Sequence, residues 1–252
     1  MFSVVKNQIF NTQNISRLGT FNKRYSHLRY NFFNVPPKNL AKKLLGKVLV
    51  REEDDGGVLK GVIVETEAYL GPHDLAAHSS KGRVKKAYHT FLPPGICGFT
   101  PVYGIHIVFS ISCLGDGTCV LIRALMPIAG IEKMIRNCLN SGKKLKNIKE
   151  CRICSGPAKL CKAFNLTTDL NKTDISKGSD KLYFEDIAYY AESFDIVECP
   201  RIGLSHDKVG EWYGKYLRFY ILGHPSVSKK CKKCEKALNL KYKQWILGNS
   251  YD

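Results

Sequence analysis

The chain has 252 residues, 44% of them hydrophobic and 11% aromatic. That is enough for one ordinary core and too apolar for wholesale disorder. No apolar run approaches the roughly 18 residues that a membrane helix requires, which argues against a spanning protein. The formal net charge of +17 points to a polyanionic partner, nucleic acid before membrane.

The charge is uneven along the chain. Residues 1–51 hold ten Lys and Arg and no acid, and residues 229–252 hold seven Lys against two acids. The stretch between carries only +2. Residues 1–28, with Arg17, Lys23 and Arg24 among scattered Phe and Ile, read as a basic leader or arm expected to lack fixed structure. Such a segment suits mitochondrial import and suits a phosphate-tracking arm equally, so nucleus and mitochondrion both stay open. The apolar segment of a secretory signal is missing, so a reducing, intracellular setting is expected. The ten cysteines are then expected as free thiols. Cys151-x2-Cys154 and Cys231-x2-Cys234 each have zinc-ligand spacing, which keeps a metal-dependent nucleic-acid protein as an alternative. The favoured expectation is no metal and no cofactor.

Leu40 to Val50 mixes an amphipathic start (Leu40, Leu44, Leu45) with a strand-like end. Asp54-Asp55-Gly56-Gly57 predicts a hairpin turn. Val58, Val62, Ile63 and Val64 then run as a strand into Glu65-Thr66-Glu67-Ala68-Tyr69, which Gly71-Pro72 ends. Ile105 to Cys113 is a second strand, turned at Leu114 to Gly117 and returned by Thr118 to Leu125. Pro127 is expected to open a helix carrying Ile128, Ile131, Met134, Ile135 and Cys138. Lys143 to Lys149 is a basic loop, and Ser155-Gly156-Pro157 starts a second helix through Leu160, Cys161 and Phe164. Residues 165–200 read as a solvated acidic face, and Tyr216 to Leu222 as a last strand. Strands and helices mix without βαβ regularity, which predicts an α+β fold in one domain over 29–228, followed by a Lys-rich tail over 229–252.

Chemistry concentrates between Glu65 and His78. Along a strand Glu65, Glu67 and Tyr69 share one face. Two carboxylates there are costly unless solvated or used, so an exposed edge strand competes with a functional site. The segment Glu67-Ala68-Tyr69-x-Gly71-Pro72-x-Asp74-x-Ala76-x-His78 resembles the alkyladenine (3-methyladenine) DNA glycosylase family. Tyr103-Gly104-Ile105-His106, the run Gly115 to Leu125, and Cys154-Ser155-Gly156-Pro157-Ala158-Lys159-Leu160 follow in the family's order. Arg201-Ile202-Gly203, Gly210-Glu211-Trp212 and Leu217-Arg218-Phe219-Tyr220 complete the resemblance, which spans about Arg29 to Ser228.

The resemblance implies a curved, largely antiparallel sheet flanked by helices. It implies a monofunctional enzyme of base excision repair that takes a damaged purine out of duplex DNA and hydrolyses its glycosidic bond with water. Glu67 then corresponds to the general base and Arg123 to the residue that holds carboxylate and water. Tyr69 and His78 correspond to groups that stack on or hydrogen-bond the flipped base, and cationic alkylpurines favour aromatic faces. Tyr103 corresponds to the wedge that fills the gap in the duplex. Lys159 corresponds to a phosphate contact, and Arg83, in the Lys81–Lys86 stretch, is a further DNA-contacting candidate. The implied partner is double-stranded DNA with damaged purines, met by a monomer and without a membrane.

The sequence departs from the family at three places. Thr100 stands where an aromatic residue stacks on the base, Ser110 stands where an Asn crowds guanine, and Lys85 to His89 is one residue short. A looser base pocket is expected, assisted by Phe99 or His106. A duplex-binding relative without catalysis is the alternative function.

Overall fold

Among the described residues nine strands form one sheet: β1 (Ser26–His27), β2 (Val48–Glu52), β3 (Val58–Leu70), β4 (Cys97–Val102), β5 (His106–Ser112), β6 (Thr118–Ala129), β7 (Leu182–Asp186), β8 (Ile196–Pro200) and β9 (Tyr216–Ile221). Every pairing among them is antiparallel. Their order is β1-β7-β2-β3-β6-β5-β4, with β9 joined to β3 and β8 to β9. The computed structural model describes residues 26–139, 149–186 and 194–248. The leader up to residue 25 and the basic loop up to residue 148 lie outside the described residues.

The hairpin turn forms where the sequence places it, between β2 and β3. Strand β3 is the axis of the sheet. Its start pairs with β2, its later part pairs with β9, and β6 runs along its other edge. It is a central strand with Glu65, Thr66 and Glu67 wholly buried, not the exposed edge that competed with it. The segments packed against the sheet are α1 (Tyr30–Phe33), α2 (Pro37–Lys43), α3 (Ile131–Leu139), α4 (Pro157–Ala163), α5 (His206–Val209) and α6 (Lys232–Gly248). Helix α2 starts on Pro37, whose fixed φ suits a first helical position. Leu40 and Leu44 are fully buried, each worth about 1.5–3 kcal/mol relative to exposure. The α+β architecture is the expected one.

Two expectations are corrected. Pro127 does not open a helix: β6 continues through it to Ala129, and α3 begins only after Gly130. Pro127 lacks a ladder N–H, and it sits beside a register shift opposite Gly61, where that loss is tolerated. Gly130, at φ +72°, makes the turn that a side chain would strain. The acidic stretch 165–200 is not one solvated face. It contains β7, mostly buried, and β8, which alternates inward and outward. The acids of this stretch hid two short strands, one buried almost throughout and one buried at alternate positions.

Both ends of the described stretch contribute to the packing, and Ser26 to Leu28, expected to lack fixed structure, are part of it. Ser26 and His27 pair with Asp186 and Glu185, and the His27 ring stacks on Tyr183. At the other end Cys234 is buried, and Cys231 and Leu238 pack against the core. Among the described residues no helix is long and apolar enough to cross a membrane.

Candidate active site

The site begins with an irregularity in the ladder between β3 and β6. Glu65 pairs with Ala124 and Thr66 with Ile122, so Arg123 is left without an opposite residue. Such a bulge re-aims a side chain. Here Arg123 reaches both carboxylates: its Nε donates to Glu65 Oε1 at 3.2 Å, and its Nη1 lies 3.2 Å from Glu67 Oε1. Burial works against the Arg123 cation, but the facing Glu67 and Glu65 charges raise its pKa above the usual value.

Glu67 is fully buried. Its Oε1 also accepts the Ile202 N–H at 2.9 Å, and its Oε2 accepts the Tyr69 hydroxyl at 2.9 Å. Glu65 has a different duty. It accepts from Arg218 Nη1 at 2.8 Å and from the Ser228 N–H at 2.7 Å, which ties β3 to β9 and the segment after it. Two glutamates and two arginines thus form a charge-balanced buried set, the condition under which buried ions are tolerated.

A second buried pair fixes the turn after β3. Arg201 grips Asp74 through two bonds, Nη1 to Oδ2 at 2.6 Å and Nη2 to Oδ1 at 2.8 Å. Asp74 also accepts the Leu70 and Ala76 N–H groups, and Arg201 donates to the Ala68 carbonyl. The Arg201 guanidinium lies 4.6 Å from the Tyr69 ring centre, a cation–π contact that orients the ring. Burial, then the Glu67 charge, pushes the Tyr69 phenol well above its usual pKa, so it stays a donor. Asp74 and Arg201 stood in the quoted motifs without a role; the signal that marks them is an Asp and an Arg that a fold can only bury together.

Tyr69 leads from the carboxylate to a cavity of about 80 Å³, lined among others by His78, His89, Thr100, Ser110 and Leu121. The four expected base-binding residues, Tyr69, His78, Thr100 and Ser110, therefore come together. Desolvation, then the Lys86 and Lys81 charges, lowers the His78 pKa. Thr100 Oγ1 donates to the Lys86 carbonyl at 3.3 Å. Lys86, His89 and Thr100 also border a larger cavity of about 680 Å³, whose lining includes Lys85, Tyr88 and Lys172.

His89 is a further residue of the site that the sequence did not single out. Its Nε2 lies 2.8 Å from Ser110 Oγ, and burial, then the His78 charge, brings its pKa down to about 4. The ring rests on Gly98, where a Cβ would come within 2.1 Å of His89 Cδ2. Only glycine fits there, and a glycine inside a strand is the signal that announces such close approach. Of the two residues expected to assist, Phe99 borders the larger cavity but not the smaller one, and His106 borders neither. Phe99 is buried and stacks on Phe109 at 4.8 Å between ring centres. Its side chain alternates with that of Thr100 along β4 and turns to the core. His106 is exposed at the start of β5 and lines a separate surface cavity beside α4.

The β4–β5 turn projects into solvent. Tyr103 is 89% exposed and Ile105 84% exposed, and Tyr103 holds φ +51°, a conformation that non-glycine residues seldom adopt. Lys159 is exposed on α4. Arg83 is exposed and sits over the Phe91 ring at 4.7 Å. All ten cysteines are free thiols. Among the described residues no group of three or more His, Cys, Asp and Glu could hold a metal ion, so the two Cys pairs do not combine.

The family model for methylpurine-DNA glycosylase matches residues 31–225. The Homo sapiens protein named DNA-3-methyladenine glycosylase is 40% identical over 206 residues, covering 81% of this chain and 68% of the human one. The Mus musculus protein of the same name is 39% identical over 230 residues, 88% of this chain and 68% of its own. A Clostridium botulinum protein provisionally named 3-methyladenine DNA glycosylase is 40% identical over 207 residues, 81% of this chain and 99% of its own.

Proposed function

The chain belongs to the methylpurine-DNA glycosylase family and is a DNA repair glycosylase, and on that premise we propose that it flips damaged purines from duplex DNA into the Tyr69–His78–His89 cavity and hydrolyses their glycosidic bond with a water activated by Glu67. The observation that carries this reading is the buried Glu67 carboxylate, held by Arg123 and the Ile202 N–H and joined to the cavity through Tyr69.

Glu67 takes the proton of the water and, as an anion, stabilises the positive charge that develops on the sugar. Arg123 holds the carboxylate in orientation. Tyr69 and His78 contact the flipped base, with Thr100 and Ser110 giving smaller walls than an aromatic and an Asn would. His89 supplies a ring on that side, which supports excision of alkylated and deaminated purines in a pocket of altered preference. Tyr103, exposed at its turn, is suited to fill the space that the flipped base leaves. Lys159 and Arg83 contact phosphates. The enzyme acts as a monomer, with a catalytic unit over 29–228 and basic ends that add phosphate attraction or, at residues 1–28, organelle targeting to nucleus or mitochondrion.

The test is a single-turnover excision assay on duplexes carrying hypoxanthine, 1,N6-ethenoadenine or methylated purines. Base release, lost in Glu67→Gln with duplex binding retained, is the expected result. Binding without any release from the native protein would overturn the reading in favour of a non-catalytic lesion binder.

A further inference from the structure

The Cys231-x2-Cys234 pair takes no part in the base cavity, yet it is built as a unit. Cys231 stands immediately before α6 and Cys234 lies in its first turn. Their sulfurs touch at 3.3 Å. Cys231 is partly exposed and Cys234 is buried. The Cys231 N–H donates to the Tyr220 hydroxyl at 2.8 Å, and that hydroxyl donates to Glu235 Oε1 at 2.9 Å. The backbone of the pair is therefore fixed against β9 and against its own helix.

We propose that Cys231 and Cys234 form a reversible dithiol–disulfide site, in which the exposed Cys231 sulfur attacks a peroxide and the buried Cys234 sulfur resolves the product. The spacing, the sulfur contact and the unequal exposure carry this assignment. Two cysteines one helical turn apart lie within disulfide reach once their thiols converge. A reactive sulfur must meet solvent, and its resolving partner must wait beside it.

The electrostatics agree with that division. Burial raises the Cys231 pKa, but the Cys234 N–H, the Cys234 thiol, the Arg218 charge and the Lys233 N–H bring it below the usual value. The Cys234 thiol is raised, by burial and then by Cys231. Burial also raises Cys97, Cys113, Cys119, Cys154, Cys161 and Cys199, which leaves them poor nucleophiles. Zinc is a weaker occupant, because no third donor joins the pair among the described residues.

In the first step the Cys231 thiolate attacks one oxygen of hydrogen peroxide. An S–O bond forms, the O–O bond breaks, and hydroxide leaves and takes up a proton as water. Cys231, now a sulfenic acid, has lost two electrons to the peroxide. Cys234 then attacks that sulfur: an S–S bond forms, the S–O bond breaks, and water leaves with the Cys234 proton. A dithiol reductant reverses the reaction through a mixed disulfide.

The experiment treats the reduced full-length chain with stoichiometric hydrogen peroxide, blocks remaining thiols by alkylation and digests with a glutamate-specific protease. Mass spectrometry should show the peptide holding both cysteines lose two hydrogens and both alkylation sites before Cys138 or Cys151 reacts. Dithiothreitol should restore both sites. In Cys234→Ser, dimedone should trap a sulfenic acid on Cys231; in Cys231→Ser, Cys234 should stay fully alkylatable. Cys231 and Cys234 that both remain alkylatable after Cys138 or Cys151 has oxidised would overturn the proposal. So would a Cys231 sulfenic acid that accumulates in the native chain without closing the disulfide.

Discussion

The His89 imidazole occupies the place that a side chain at position 98 would need: a Cβ on Gly98 would stand 2.1 Å from Cδ2 and 2.2 Å from Cγ of that ring. The two positions are therefore coupled, one ring for one missing side chain. Gly98→Ala should push His89 off Ser110 and destabilise the protein by about 1–3 kcal/mol, the usual cost of overpacking. Adding His89→Ala should recover a good part of that loss, since the collision partner is gone. Urea denaturation of both variants decides it; additive losses would refute the coupling.

Glu67→Gln removes one charge from a buried set of two arginines and two glutamates. The amide keeps the shape of the carboxylate but takes no proton. Base release should fall by about 10²–10⁴-fold, the range for a lost general base, while duplex affinity stays close to native. Single-turnover excision and a binding titration measure the two effects separately.

Two buried histidines make the fold sensitive to acid. Burial and then the His78 charge hold His89 at about 4, and burial and then the Lys230 charge hold His224 at about 4. Both titrate near 6.5 when unfolded. The unfolded chain therefore binds more protons between those values, and stability rises with pH across that window. Acidification from pH 6.5 to 4 should cost about 3 kcal/mol for each residue, and His224→Gln should flatten its share. Thermal midpoints measured across that range would show it.

The Asp74–Arg201 pair is sealed from solvent on both sides. Asp74→Ala strands the Arg201 guanidinium and frees the Leu70 and Ala76 N–H groups. A loss of about 3–5 kcal/mol is expected, typical of breaking one side of a buried ion pair. The turn that carries His78 should loosen with it, visible as faster amide exchange in residues 70–78. Unchanged exchange and stability would remove the pair from its structural role.

Tyr103 offers the opposite case. Its side chain is almost fully exposed and its φ of +51° suits glycine better. Tyr103→Gly should leave stability unchanged or raise it by up to about 1 kcal/mol, while excision from a duplex falls. Excision from a single strand, which leaves no gap to fill, should suffer less. An equal loss on both substrates would exclude the wedge.

Much of this protein is legible in its sequence alone. Alternating and helical periods located β2, β3, β5, most of β6, α2 and α4, because those segments bury one consistent face. The ordered motifs around Glu67, Tyr69, His78, Tyr103 and Arg123 identify the family; the fold brings Glu67, Tyr69 and Arg123 into contact and sets His78 beside Tyr69, while Tyr103 stands apart on a solvent-exposed turn. The boundary at Pro127 was not legible. A proline is a helix starter in isolation, and only the partner strand with its register shift decides that β6 passes through it.

Neither were the contacts that make the site. The sequence determined that Glu65, Glu67 and Tyr69 lie on one side of a strand, since that follows from the two-residue repeat of the backbone itself. It could not determine that Arg123 would fall in a bulge and turn toward two glutamates, or that Arg201 would close on Asp74. It equally could not show that His89 would fill the space of Gly98. The first two join residues distant in sequence and the third packs a turn onto the next strand; such contacts are settled by sheet register and by packing, which only the folded chain possesses.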